Sequence, residues 1–208
     1  WNPDADVRGI LLDYTRFFFG PDVADEAADG ILALEKNWEG PLATNGSVDA
    51  TLALWEKLAA KAPQLTSNWR WQMCLVRAYY DAYNRHRLLY ETALEDEANR
   101  ALLAARTRGS DAAMNEALAI LARATTERCR PELRARVVEL YDDLFRSIGL
   151  QTSMQKYGAS GAERGASLDY IDYPLNNRWW LEDEFPKIRA LPTEEEKLAR
   201  LERISTWE

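Results

Sequence analysis

The chain of 208 residues is long enough for one hydrophobic core, and 47% hydrophobic with 29% charged residues is typical of a globular protein. Its net charge of −8 argues against nucleic acid or an anionic membrane surface as the main partner, because both attract clustered cationic side chains. No apolar run approaches the roughly 18 residues that a membrane-spanning helix needs, so we expect no membrane span.

Apolar residues at helical spacing predict a first helix over residues 7–19. Pro21 suits the first position of a second helix, whose inner stripe is expected to reach Trp38. A loop is expected over residues 37–47, and Ser47 is expected to cap a third helix.

The next segment, residues 67–107, contains neither glycine nor proline and consists mostly of good helix formers. It predicts one unbroken helix of roughly 60 Å. Ser110 is expected to cap a fifth helix, and Pro131 to open a sixth that ends at Gly149.

Residues 149–175 are rich in Gly and Ser and lack a hydrophobic period, which predicts a long irregular connection. Asn177 is expected to cap a helix through Leu191, and Thr193 with Glu196 predicts a capping box for a last helix. No run alternates with the period of two that strands require. The sequence therefore predicts a single all-α domain over residues 1–208, an antiparallel bundle of about eight helices around one long central helix, with a Gly/Ser-rich loop.

Aromatic and arginine side chains are concentrated in the first part of the long helix. Its apolar residues fall on two faces, so we expect a central helix in which Arg77 pairs with Asp81 one turn on. Core packing explains most of these aromatics. The alternative is a sugar-binding surface, where an aromatic ring stacks on the C–H face of a sugar and Arg binds its hydroxyls or carboxylate. The candidate substrate contacts here are Trp69, Arg70, Trp71, Arg77 and Tyr80.

A second aromatic cluster follows the Gly-rich loop, within residues 167–185. Aromatics next to a loop are less readily explained by core packing, although docking of the loop onto the bundle or onto a neighbouring domain would also account for them. The candidate substrate contacts here are Asn177, Arg178, Trp179 and Trp180. Five carboxylates nearby are enough for the acid and base of a glycosidase, but short acidic runs are usually solvated helix faces. They are Asp169, Asp172, Glu182, Asp183 and Glu184.

The reactive residue types give no catalytic or metal-binding motif. Cys74 and Cys129 fall within predicted helices without a paired spacing, so we expect free thiols, with a disulfide as the alternative. His86 is the single histidine, which leaves no ligand cluster for zinc or iron. Residues 158–165 lack the Lys-Ser/Thr ending of a phosphate-binding loop. We assign no catalytic residue, metal or cofactor.

The opening of the chain reads WNPDADV and then LLDYTRFFFGP. This pattern resembles the junction that follows the catalytic barrel in bacterial carbohydrate-active proteins, namely the α-glucuronidases of xylan breakdown and related glycosidase-like proteins. Asp13-Tyr14 stands where the α-glucuronidases tend to carry Glu-Trp, so the resemblance is to their relatives. The matching residues are Trp1, Asn2, Pro3, Asp4, Asp6, Leu11, Leu12, Tyr14, Phe18, Phe19, Gly20 and Pro21.

The resemblance implies a non-catalytic accessory domain of a secreted or periplasmic bacterial protein, with the catalytic acid and base on a barrel upstream of Trp1. It implies packing on that barrel, residues lent to the rim of the substrate cleft, and homo-oligomerisation. The implied partners are neighbouring domains of the same polypeptide and a polysaccharide or oligosaccharide. The bulky Trp207 near the chain end predicts a further domain.

Two other functions stay open at this point. One is a stand-alone helical module for protein–protein interaction. The other is an independent enzyme that uses Asp169, Asp172 or Glu182 with Arg178. If a neighbouring domain covers this one, residues 1–21 and the Trp179-Trp180 region should carry exposed apolar side chains.

Overall fold

A computed structural model of the protein describes residues 4–157 and 166–205. These two ranges contain nine α-helices and no strand, which confirms the all-α fold with one long helix. The helices are α1 (Val7–Phe19), α2 (Ala24–Lys36), α3 (Ser47–Lys61), α4 (Trp69–Leu103), α5 (Ala105–Arg108), α6 (Ser110–Thr126), α7 (Pro131–Ile148), α8 (Arg178–Arg189) and α9 (Glu194–Ser205). Trp1, Asn2 and Pro3 of the opening pattern, the glycine-rich residues 158–165 and Trp207 lie outside the described residues.

Three helix boundaries differ from the prediction, one of which is the end of α8 at Arg189 rather than at Leu191. The long helix α4 has 35 residues and ends at Leu103, where a turn at Ala104 separates it from the short α5. No glycine or proline marks this break, so the helical pattern alone extended it to Thr107. The second helix begins at Ala24 rather than at Pro21, because residues 21–23 form a turn.

Two other boundaries follow their sequence signals. Pro131 is the first residue of α7, and Gly149 ends that helix with a φ of 65°, in the left-handed region that glycine favours. Before α9, the Thr193 Oγ1 accepts the Glu196 N–H at 3.3 Å and the Glu196 carboxylate accepts the Thr193 N–H at 3.1 Å. This reciprocal pair is the predicted capping box.

The other three predicted N-cap side chains make no capping hydrogen bond, although Asn177 does occupy the N-cap position of α8. Ser47 is already helical, and its hydroxyl donates to the Asn45 Oδ1. Ser110 donates from its N–H and its hydroxyl to the Glu194 carboxylate. Asn177 precedes α8 without a capping bond, and its buried Oδ1 has no partner within the described parts of the chain.

The residues group into two compact units. Unit 1 comprises Trp1–His86 and Arg130–Ile171, and unit 2 comprises Arg87–Cys129 and Asp172–Glu208. The long helix α4 therefore begins in unit 1 and ends in unit 2. The prediction of one domain did not anticipate this grouping.

The core of unit 1 is built around two indoles. The Trp71 ring contacts those of Phe19 and Trp55 edge-to-face, with centroids 5.0 and 5.3 Å apart. The Trp55 Nε1 donates to the Gly30 carbonyl at 3.2 Å, and a Cβ at Gly30 would lie only 3.1 Å from the indole. Glycine at this position lets α2 approach Trp55 closely, so the arrangement of α1, α2 and α3 depends on these rings.

Unit 2 has its own hydrophobic core, formed by the second part of α4 with α6, α8 and α9. Its large buried side chains are Leu102, Met114, Leu121, Leu181, Phe185 and Leu201. No helix in the described ranges is both long enough and apolar enough to cross a membrane.

Candidate functional site

The predicted substrate contacts on α4 divide by helical face. At about 100° per residue, Trp69, Arg70, Arg77 and Tyr80 share an arc of roughly 100°, whereas Trp71 points about 200° from Trp69. The Trp71 side chain is 1% exposed and lies in the core of unit 1. Its side chain is therefore not accessible to a ligand in this structure, which sequence spacing could not show because it indicated two apolar faces without showing which one is covered.

A cleft of about 320 Å³ opens along this face of α4, within unit 1. This volume is near the lower end of the range for small-molecule sites, roughly 300–1,000 Å³. Two predicted contacts, Arg77 and Tyr80, line it together with Glu35 of α2 and Tyr141 of α7. The apolar part of the lining includes Ile31, Leu34 and Met73.

Arg77 is fixed from two sides. Its Nε donates to the Asp81 Oδ2 at 2.9 Å, which confirms the predicted pair, and the same oxygen accepts the Asn37 Nδ2 at 3.0 Å. The guanidinium carbon lies 4.7 Å from the centroid of the Trp38 ring. Arg77 therefore joins a buried polar group to an aromatic ring next to the cleft.

Trp38 does not itself line the cleft but contacts Arg77, which does, and sequence reasoning missed this residue. It was expected to end the inner stripe of the second helix, but α2 ends at Lys36 and Trp38 is 67% exposed. Helical periodicity does not apply beyond the end of a helix. The signal that pointed to its position is the loop-forming composition of residues 37–47, which contains Trp38.

Arg70 lies one turn before the cleft residues, between two aromatic rings. Its guanidinium carbon is 3.8 Å from the Phe18 centroid and 4.1 Å from that of Trp69. Within residues 4–157 and 166–205, Arg70 has no salt bridge. The stack connects the end of α1 to the start of α4 and leaves Trp69 partly exposed.

Burial favours the neutral forms of two side chains that line the cleft, Cys74 and Tyr141. Burial raises the pKa of the Cys74 thiol to about 12, so this thiol stays protonated at neutral pH and is a poor nucleophile. Burial also raises the pKa of the Tyr141 phenol. Neither Cys74 nor Cys129 forms a disulfide, as expected.

In unit 2, the segment before α8 is bound to α4 by a buried ion pair. The Arg87 Nη2 donates to the Glu91 Oε1 at 2.8 Å, and both side chains are almost fully buried. The second oxygen of Glu91 accepts the Leu175 N–H and the Asn176 Nδ2, each at 2.8 Å. Arg87 also donates to the Tyr173 carbonyl at 2.6 Å. We call this arrangement the Arg87–Glu91 clamp.

Two of the predicted contacts in unit 2 take part in structural interactions. The Asn177 N–H donates to the Glu95 Oε1 at 2.6 Å, and burial raises the pKa of Glu95. Arg178 forms a salt bridge of 2.8 Å with Glu182 on the same helix. Docking of this segment onto α4 therefore accounts for Asn177, and a salt bridge within α8 accounts for Arg178, without a ligand.

The aromatic side chains of the segment remain exposed. Trp179 is 52% exposed and contacts Tyr173 edge-to-face, with centroids 4.8 Å apart, and Trp180 is also exposed. In unit 1, Phe17 of the opening stretch is 81% exposed. The exposed apolar side chains expected at residues 1–21 and at the two tryptophans are thus observed.

The carboxylates considered as an acid–base pair are bound to other groups. Asp169 accepts the Ala166 and Met154 N–H groups, which lower its pKa. The remaining four form salt bridges: Asp172 with Arg128, Glu182 with Arg178, Asp183 with Lys187, and Glu184 with Lys187 and Arg200. A general acid needs a raised pKa, so a lowered one at Asp169 does not suit that role. The part of the chain that the structure describes contains no cluster of three or more metal-binding side chains.

Comparisons of the chain with models of known families, with curated proteins and with solved structures gave no match. The resemblance of the opening stretch to the glycosidase-like junction therefore stays a hypothesis.

Proposed function

We propose that this protein is a non-catalytic helical accessory module of a secreted or periplasmic, glycoside-hydrolase-like bacterial protein, and that unit 1 binds saccharide at its cleft. The observation that carries the proposal is the Trp38 indole, 67% exposed and stacked on Arg77 beside the cleft. A large exposed indole that is fixed in place offers the flat apolar surface on which the C–H face of a sugar ring stacks.

The remaining groups of the cleft suit the rest of a sugar. Tyr80 and Tyr141 each contribute a phenol, and Met73 adds a polarisable apolar surface. Arg77 is already bound to Asp81, so little side-chain entropy is lost when a ligand orders this site. The cleft is large enough for one or two sugar rings.

Binding rather than catalysis fits the chemistry of both units. The Cys74 thiol is protonated at neutral pH, and the carboxylates of the second aromatic cluster are committed to salt bridges or backbone hydrogen bonds. In the proteins that the opening stretch resembles, the catalytic acid and base lie on a barrel. The proposed partners are that neighbouring domain and an oligosaccharide.

The variant Trp38→Ala is expected to weaken saccharide binding at least about tenfold, because burial of an indole contributes on the order of 2 kcal/mol. Binding of xylo-oligosaccharides and cello-oligosaccharides is measured by calorimetry and by two-dimensional NMR of the 208-residue chain. The control is Phe17→Ala, which removes another exposed ring of unit 1 whose described ring contact is with Phe18 and not with a residue of the cleft lining. Absence of binding by the unmodified chain, or equal losses in the two variants, contradicts the proposal.

A second candidate function, a helical protein–protein interaction module, is favoured by the outer face of α1. Ile10 and Phe17 are well exposed there, roughly 140–180° around the helix from the buried Thr15 and Phe19, and the exposed Val7 lies at the edge of the same face. An apolar helical stripe in contact with water is typical of an interface. A second copy of the chain is the partner that the homo-oligomer prediction names.

This second function predicts that the chain self-associates and that Phe17→Glu weakens the association at least about tenfold, since a carboxylate would be buried in an apolar interface. Sedimentation velocity over a range of concentrations measures the association. Gln64→Glu, which adds the same charge at another exposed position of unit 1, is the control. A chain that stays monomeric at every concentration contradicts the homo-oligomeric module.

A further inference from the structure

We infer that the unit 1 cleft selects uncharged saccharides and discriminates against uronic acids. This inference rests on the proposed function, and it concerns the charge of the ligand rather than the presence of a binding site. The observations that support it are the charges of Glu35, Arg77 and Asp81.

The charges of the lining do not favour an anion. Arg77 is the cation of the described lining, and Asp81 neutralises it through a salt bridge of 2.9 Å. Glu35 also lines the cleft, and no salt bridge to its carboxylate occurs among the residues that the structure describes. The balance of Arg77, Asp81 and Glu35 is thus one negative charge, which repels a second carboxylate at short distance.

The other polar groups of the cleft add no positive charge. Tyr80 and Tyr141 contribute phenols, burial raises the pKa of the Tyr141 phenol, and the Cys74 thiol is protonated at neutral pH. Together with the exposed Trp38 ring, these groups are suited to hydroxyl groups and C–H faces. An uncharged pyranose uses both kinds of contact without bringing a carboxylate near Glu35.

Arg70 is the nearby cation that favours the opposite conclusion. It has no salt bridge within the described residues, but its guanidinium carbon contacts two aromatic rings, at 3.8 Å from the Phe18 centroid and 4.1 Å from that of Trp69. It does not line the cleft. A uronate bound in the cleft is therefore expected to be influenced by Glu35 rather than by Arg70.

The test uses three ligands with one skeleton: a cello-oligosaccharide, the same oligosaccharide with one C6 hydroxymethyl oxidised to a carboxylate, and the methyl ester of that acid. We expect the uronate to bind at least about threefold more weakly than the neutral sugar, and the ester to regain the lost affinity, since the ester restores neutrality. Calorimetry and NMR titration of the 208-residue chain measure all three. Added salt should reduce the difference, because the Debye length falls to roughly 8 Å at 0.15 M.

The variant Glu35→Gln separates charge from shape. It is expected to lower the ratio of neutral to uronate affinity by about three- to tenfold, since it removes the repelling carboxylate and keeps a polar side chain of the same size. Glu39→Gln makes the same chemical change four residues later, outside the lining, and should leave the ratio unaltered.

The outcomes distinguish the inference from the function on which it rests. Equal or tighter binding of the uronate, above all if Arg70→Gln abolishes it, overturns the inference and leaves the saccharide-binding function standing. If Glu35→Gln and Glu39→Gln lower the ratio of neutral to uronate affinity equally, the inference is also overturned. Binding of none of the three ligands overturns the proposed function and the inference with it.

Discussion

Glu91→Ala is expected to lower the free energy of unfolding of unit 2 by about 3–5 kcal/mol, the range measured when one partner of a buried ion pair is removed. The substitution leaves the buried guanidinium of Arg87 without its carboxylate. It also removes the acceptor for the Leu175 N–H and the Asn176 amide. A buried charge and two donors thus lose their partner in one change.

Urea unfolding followed by circular dichroism gives the loss of stability, and hydrogen exchange at the Leu175 amide shows whether it arises at the Arg87–Glu91 clamp. The matched control is Glu182→Ala, which removes a carboxylate from the solvent-exposed pair with Arg178 and should cost less than about 1 kcal/mol. Glu91→Gln retains a hydrogen-bond acceptor without the charge, so its loss of stability should lie between those of Glu91→Ala and Glu182→Ala. Equal losses for Glu91→Ala and Glu182→Ala would show that the clamp does not hold the segment.

Most of the fold was predictable because local sequence encodes it. A run of good helix formers without glycine or proline predicted the long α4, Gly149 predicted the end of α7, and the Thr193–Glu196 pair predicted the start of α9. Each of these signals acts within about four residues, the reach of a helical turn. The break at Ala104 has no such local signal, and the helical pattern continued across it.

The candidate sites were only partly predictable because their key contacts join distant parts of the chain. Arg77 and Asp81 are four residues apart, so their pair was readable from spacing. Asn37 reaches the same carboxylate from 44 residues away, and Glu91 binds a segment 84 residues further on. No sequence pattern specifies such partners, so the position of Trp38 beside Arg77 was also hidden.

The sequence did not show which face of α4 is buried, for a different reason. Both of its faces are apolar, and each carries a tryptophan, so the helical period separates Trp69 from Trp71 without ranking them. The ranking comes from α1 and α3, which place Phe19 and Trp55 against one face only. Substituting each tryptophan in turn therefore shows which face of α4 is buried, and the comparison uses one residue type.

Trp71→Ala is expected to lower the free energy of unfolding of unit 1 by about 3–5 kcal/mol, because truncation of a fully buried indole leaves a cavity between Phe19 and Trp55. Trp69→Ala, two residues away on the same helix, is expected to cost less than about 1.5 kcal/mol. It removes a partly exposed ring whose described ring contact is a cation–π stack with Arg70.

Chemical unfolding of the two variants, monitored by circular dichroism, measures the difference between their free energies of unfolding. Both variants replace Trp by Ala on the same helix, so the effect of helix propensity largely cancels in this difference. If Trp69 packs against a ligand or a neighbouring domain, its truncation should weaken that binding while the isolated chain stays folded. Trp71→Ala should instead weaken binding at the cleft only as far as it unfolds unit 1. Equal destabilisation by the two substitutions would mean that both faces of α4 are covered, and the face assigned to ligand binding would then belong to the core.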